Sequence, residues 1–146
     1  MQKIIFHFKI FGVILPYKIL LLLEETMMKK LLLGMLLIFL YCFPYVYFSM
    51  YLDYSNGSML GFGLMIIITS ILAFCGVKYV HYIHVIIGNS LSMIISFYFI
   101  GEMSGVEEWG GYFKPITPNQ LLIVVTILNL IPQYFAARLA KKYKKK

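Results

Sequence analysis

Aspartate, glutamate, lysine and arginine are missing from the four longest apolar runs of this chain. Charged residues make up only 13% of its 146 positions, about half the share of an ordinary soluble domain. The shortage excludes a water-soluble fold, because a chain of this size leaves much of its surface exposed. With 61% apolar residues and a mean hydropathy of +0.83, most of that surface must meet lipid. Proton- and cation-coupled transporters use an ionisable residue at membrane depth, so its absence speaks against coupled transport. The two cysteines, Cys42 and Cys75, fall inside apolar runs; they suggest neither a disulfide framework nor a zinc site and read as small hydrophobes with free thiols. There is no HExxH, no GxSxG, no glycine-rich phosphate loop and no Cys–His pairing of useful spacing, nor an inverted repeat of the kind that supports alternating access. The expectation is a non-enzymatic protein without cofactor. The net charge of +7 does not indicate nucleic acid, since the charges sit between hydrophobic runs and at the end of the chain, as membrane-flanking charge does.

What is present is length. Crossing a hydrocarbon core takes about 20 apolar residues in a helix, and a lone strand would leave backbone groups unpaired in lipid. Residues 31–52, 59–77, 83–100 and 120–137 meet the requirement. The fold class expected is an all-α integral membrane protein, a four-transmembrane-helix bundle in a single domain spanning residues 27–146 with a basic tail at 138–146. Spans two and three should form a tight hairpin. At the start of span four, Thr117 suits an N-cap, Pro118 the first helical position, and Gln120 completes a capping-box pattern.

The connectors assign the sides. Lys29, Lys30, Lys78, Arg138 and the five lysines of the tail, nine basic residues, fall on one side. The other side carries Asp53, Glu102, Glu107 and Glu108 against the single Lys114. By the positive-inside rule both termini are cytoplasmic, and the cell membrane, specifically the bacterial cytoplasmic membrane, is the expected location. Tyr47, Tyr51, Tyr54, Trp109, Tyr112 and Phe113 suit an outer interfacial aromatic belt, and Tyr79 and Tyr82 an inner one.

Residues 1–26 read in two ways. As a fifth span, Ile4 to Leu23 would carry Lys9 and Lys18 in or near lipid, at about 2.5–3.5 kcal/mol per lysine at a helix centre, and Pro16 would interrupt it. The stretch is either a basic amphipathic helix lying on the cytoplasmic leaflet or no part of the mature protein. In the second and preferred reading the chain starts at Met27 or Met28, and Glu24–Glu25 is a purine-rich bacterial ribosome-binding site read as protein. No small-residue cleavage site precedes "MMKK", which disfavours a signal peptide.

Candidate functional residues lie on facing helix stripes. On span three, His81, His84, Gly88, Asn89, Ser92 and Ser96 fall within a wedge of about 140°. Gly88, Ser92 and Ser96 form a ladder of small residues that lets another helix approach. The opposite face, with Ile83, Ile86, Ile87, Met93, Ile94 and Phe97, should meet lipid, Ser90 being its exception. On span four, Thr126, Asn129, Gln133 and Ala137 share one face beside Pro132, whose missing N–H frees the carbonyl of Leu128. Span two offers Thr69, Ala73 and Gly76. Spans two, three and four are expected to bring these faces together around Asn89, Asn129 and Gln133, mainly as packing glue. His81 and His84 are the only candidate metal ligands, and zinc wants three or four. The function expected is that of a membrane protein acting through helix–helix and outer-loop contacts, in an accessory, assembly or peptide-immunity role. Its partners would be the lipid bilayer and another membrane protein or itself, with no nucleic acid. The alternative is a channel-like or holin-like permeation protein forming homo-oligomers.

Overall fold

A computed structural model describes residues 24–144. The two readings of residues 1–26 therefore concern a stretch that, up to residue 23, lies outside the described residues, as do the last two lysines of the tail. The described residues form helices and turns: α1 (residues 24–41), α2 (Tyr45–Asn56), α3 (Leu60–Tyr79), α4 (Tyr82–Glu102), α5 (Glu107–Tyr112) and α6 (Pro118–Lys144). A single 3₁₀ turn, Met103–Gly105, links α4 to α5. Counting α1 with α2 as one element, four helical elements are long and apolar enough to cross a membrane.

Span one, expected as a continuous helix over residues 31–52, is broken. Pro44 has no N–H to return to the carbonyl four residues back. The chain turns at Cys42–Phe43 and restarts at Tyr45. The break is chemically complete: the Tyr45 hydroxyl donates to the carbonyl of Leu40 at 2.8 Å and the Ser92 hydroxyl to that of Phe43, also at 2.8 Å. Buried carbonyls left bare by a proline are costly in an apolar medium, and here two side chains take them up. Pro132, by contrast, sits inside α6 without ending it.

Each turn has a local cause. Gly57, at φ 60°, caps α2 in the left-handed conformation, its N–H donating to Asp53 O; glycine reaches that region without penalty. Val80 and His81 make the whole connection from α3 to α4. At the start of α6, Thr117 N–H donates to Gln120 Oε1 at 3.0 Å and Gln120 N–H to Thr117 Oγ1 at 3.3 Å, the reciprocal pair of a capping box.

Despite the tight α3–α4 connection, α3 packs most extensively against α6, while α4 leans against α2, α3 and α6 in smaller contacts. The basic residues Lys29, Lys30, Lys78, Arg138, Lys141, Lys142 and Lys144 gather where α1 begins, α3 ends and α6 ends. The acidic residues Asp53, Glu102, Glu107 and Glu108 sit where α2 and α4 end and α5 lies.

At this acidic end the 101–119 connection is folded onto the bundle. Trp109 is 1% exposed, its ring 5.1 Å from Tyr54 and 5.0 Å from Phe113 in edge-on contacts. Of the residues expected in an outer interfacial aromatic belt, Trp109 and Phe113 pack inward, whereas Tyr51 and Tyr112 are exposed. Tyr112 ties α5 to α2 by donating to Asp53 O at 3.1 Å. Desolvation, then the neighbouring Asp53, push its phenol above the usual value, which keeps the hydroxyl a donor.

Candidate functional site

The centre of the bundle is polar. Asn89 on α4 and Gln133 on α6 face each other and bond reciprocally: Asn89 Nδ2 donates to Gln133 Oε1 at 2.7 Å, and Gln133 Nε2 donates to Asn89 Oδ1 at 3.0 Å. The second hydrogen of Asn89 Nδ2 goes to Val85 O at 2.9 Å. Tyr41 of α1 closes the cluster from above. Its hydroxyl lies 3.2 Å from both Gln133 Oε1 and Thr69 O, one hydrogen shared between two acceptors. One turn away, Thr69 Oγ1 lies 2.8 Å from Met65 O and 3.1 Å from Asn129 Oδ1. Five side chains from α1, α3, α4 and α6 thus join four helices through hydrogen bonds. Away from water each such bond satisfies a group that would otherwise be bare.

Tyr41 is fully buried, and sequence reasoning did not single it out. A signal existed: a tyrosine in the middle of an apolar run needs a partner for its hydroxyl when buried. Its ring rests on Gly88, where a methyl group would lie 2.6 Å from Tyr41 Cδ2 and Cγ and 2.7 Å from Cβ. The small-residue ladder of α4 thus admits an aromatic ring and a helix break: Gly88 seats Tyr41 and Ser92 holds Phe43 O. Ser96 is fully buried and its hydroxyl has no hydrogen-bond partner among the described residues; the same is true of Trp109 Nε1.

Thr126 turns back on its own helix, donating to Leu122 O at 2.7 Å, and does not join the amides. His81 caps α4, its Nδ1 3.4 Å from Ile83 N, and His84 Nδ1 lies 3.3 Å from His81 O. The ring of His84 sits over Gly34 of α1, where a methyl group would lie 2.8 Å from Nε2. Among the described residues no three His, Cys, Asp or Glu side chains gather as metal ligands would.

Beside the amide pair, and away from contact with Tyr41, α4 and α6 do not close fully. They leave a lateral groove of about 390 Å³ lined by Val77, Tyr82, Val85, Ile86, Ser90, Met93, Leu130, Tyr134 and Ala137, with Asn89, Thr126 and Gln133 among its walls. Part of the α4 face assigned to lipid, Ile86 and Met93, is therefore groove wall. Ser90 donates to Ile86 O at 3.1 Å within its own helix. At the basic end of the groove Lys141 Nζ lies 5.8 Å from the centre of the Tyr82 ring.

Compared with known proteins, the chain matches no family model, no curated protein and no solved structure.

Proposed function

We propose that this is a non-enzymatic multi-pass membrane protein that works through contacts, as an accessory, assembly or peptide-immunity protein. The observation that carries the reading is the closed state of its polar core. The amides of Asn89 and Gln133 bind each other, and Tyr41 and Thr69 bind what surrounds them. Their hydrogen-bonding capacity holds helices together, which leaves little for a hydrated path or for catalysis. The protein then acts through its outer surfaces. At the acidic end the last residue of α4, Glu102, and Glu107 and Glu108 of α5 are exposed, a negative face suited to a basic segment of a partner.

The separation of charge between the two ends supports an orientation. With the basic end in the cytoplasm, as the positive-inside rule requires, residues 24 and 144 both lie on the cytoplasmic side and α5 lies outside, in the cytoplasmic membrane of a bacterium. The experiment is gentle extraction of the C-terminally tagged protein from native membranes, followed by the mass of the complex. A stoichiometric unrelated partner is the expected result. A homo-oligomer alone overturns the reading in favour of permeation, for which dye leakage on expression, reduced by Gln133→Leu, is the next measurement.

A further inference from the structure

We propose that the groove between α4 and α6 is a binding site for one anionic phospholipid, with an acyl chain lying along the groove and the headgroup phosphate held at its basic mouth by Lys141 and Lys144. The proposal rests on the chain being embedded in a membrane and is independent of the accessory role.

The first argument is the groove's chemistry. Four of its polar side chains make no demand on an occupant: Asn89 and Gln133 bind each other, Ser90 donates to Ile86 O and Thr126 to Leu122 O, which leaves the rim phenols of Tyr82 and Tyr134 as its unbonded hydroxyls among the described residues. A polar solute would find few free groups to bind, whereas a hydrocarbon chain meets the exposed flanks of Ile86, Leu130 and Tyr134. The second argument is size. The groove runs from Tyr82 to Met93, roughly 16 Å at the helical rise. A volume of about 390 Å³ lies in the range of small-molecule sites, and a transmembrane helix about 10 Å across needs a wider trough.

The third argument selects the headgroup. On α6 the groove-lining positions Leu130, Tyr134 and Ala137 are followed at the same helical spacing by Lys141 and Lys144, so the stripe that lines the groove continues into two cations. The contact of Lys141 Nζ with the Tyr82 ring places the first of them at the mouth. Among the described residues the one ion pair is Lys29 with Glu25, whose carboxyl Lys29 holds below its usual range. No carboxylate there neutralises Lys141 or Lys144. A basic pocket between membrane helices at the level of the headgroups is the arrangement that binds anionic lipid.

The test is native mass spectrometry of the full chain after exchange with vesicles of equal parts phosphatidylglycerol and phosphatidylcholine of matched acyl chains. The expected result is one retained lipid per chain, enriched in phosphatidylglycerol by about thirtyfold, the factor that two surface lysines contribute. Lys141→Gln with Lys144→Gln should bring the two lipids to parity. Ser90→Phe, at an exposed position whose side chain bonds only its own turn, should abolish retention of both with an unchanged unfolding midpoint; Ala137→Phe is the second filling variant. Parity in the unaltered protein overturns the proposal, as does undiminished retention in both filled variants, or a lipid-free dimer as the only species. Alkaline washing separates this failure from the other. A chain washed off membranes overturns the membrane reading and this proposal together, whereas a chain that stays embedded and retains no phosphatidylglycerol overturns this proposal alone.

Discussion

Asn89 and Ser90 are neighbours on α4 with opposite fates. The amide reaches across to Gln133 on another helix, whereas the hydroxyl donates to Ile86 O within its own turn and stays exposed. The same contrast divides the whole α4–α6 pair. On its inner side, polar groups bind between helices and carry Tyr41, Gly88 and Thr69 with them. On its groove side, Ser90 and Thr126 bond back to their own helices. In an apolar medium a hydrogen bond between helices holds a bundle together, whereas one made back to the same helix only neutralises its own donor. Position relative to neighbouring helices, not polarity as such, decides which residues are structural.

The largest effect should follow from breaking the inner side sterically. Gly88→Leu drives a branched side chain into the ring of Tyr41, where even a methyl group lies 2.6 Å from two ring atoms. Overpacking of this kind costs typically about 1–3 kcal/mol and at times more; a loss of about 3 kcal/mol is expected in denaturant unfolding of the protein in detergent. Next comes the chemistry. Gln133→Leu leaves Tyr41 and Asn89 each with a single remaining acceptor, Thr69 O and Val85 O. A loss of about 1–2 kcal/mol is expected, at the upper end of interhelical polar bonds in membranes. The double variant with Asn89→Leu should be less destabilised than the sum of the two single changes, because the bare partner has gone too. Additive losses would show that the amides act independently. Ser92→Ala uncovers the Phe43 carbonyl and should cost about 1 kcal/mol.

How much of this could be read from the residues follows from the range of each interaction. Four membrane-length helical elements are a matter of composition over some 20 residues, and the capping of α6 by Thr117 and Gln120 is local. Asn89 and Gln133 meet because each is an amide on the small-residue side of its helix, which periodicity reveals. Tyr41 could not be placed, since its role depends on a glycine 47 residues away in sequence. The two prolines were equally illegible. Both remove an N–H from a membrane-length helix, yet Pro44 breaks its helix and Pro132 does not. The difference at Pro44 is that Tyr45 and Ser92 stand ready to bind the freed carbonyls, and Ser92 belongs to another helix. The inward turn of Trp109 is likewise a tertiary event: an aromatic ring beside the acidic end suits an interface in general, and only the folded α5 segment buries it against Tyr54 and Phe113.

The smallest effect sharpens the comparison most. Ser90→Ala removes a hydroxyl that binds only Ile86 O, a carbonyl that already lies within the hydrogen-bonded ladder of α4. The side chain is exposed, and no other helix loses a partner. Expected destabilisation is below about 0.5 kcal/mol, as for surface substitutions away from special features, and the helix gains slightly in propensity. A measured loss above about 1 kcal/mol would mean that the groove side is not self-contained and that a further element covers Ser90. In that case the inner and outer sides of the α4–α6 pair would not differ in kind. A null result for Ser90→Ala beside a clear loss for Gln133→Leu, on the same pair of helices and in the same detergent, would locate the interhelical hydrogen bonding on the Tyr41 side and leave the groove free to take an occupant.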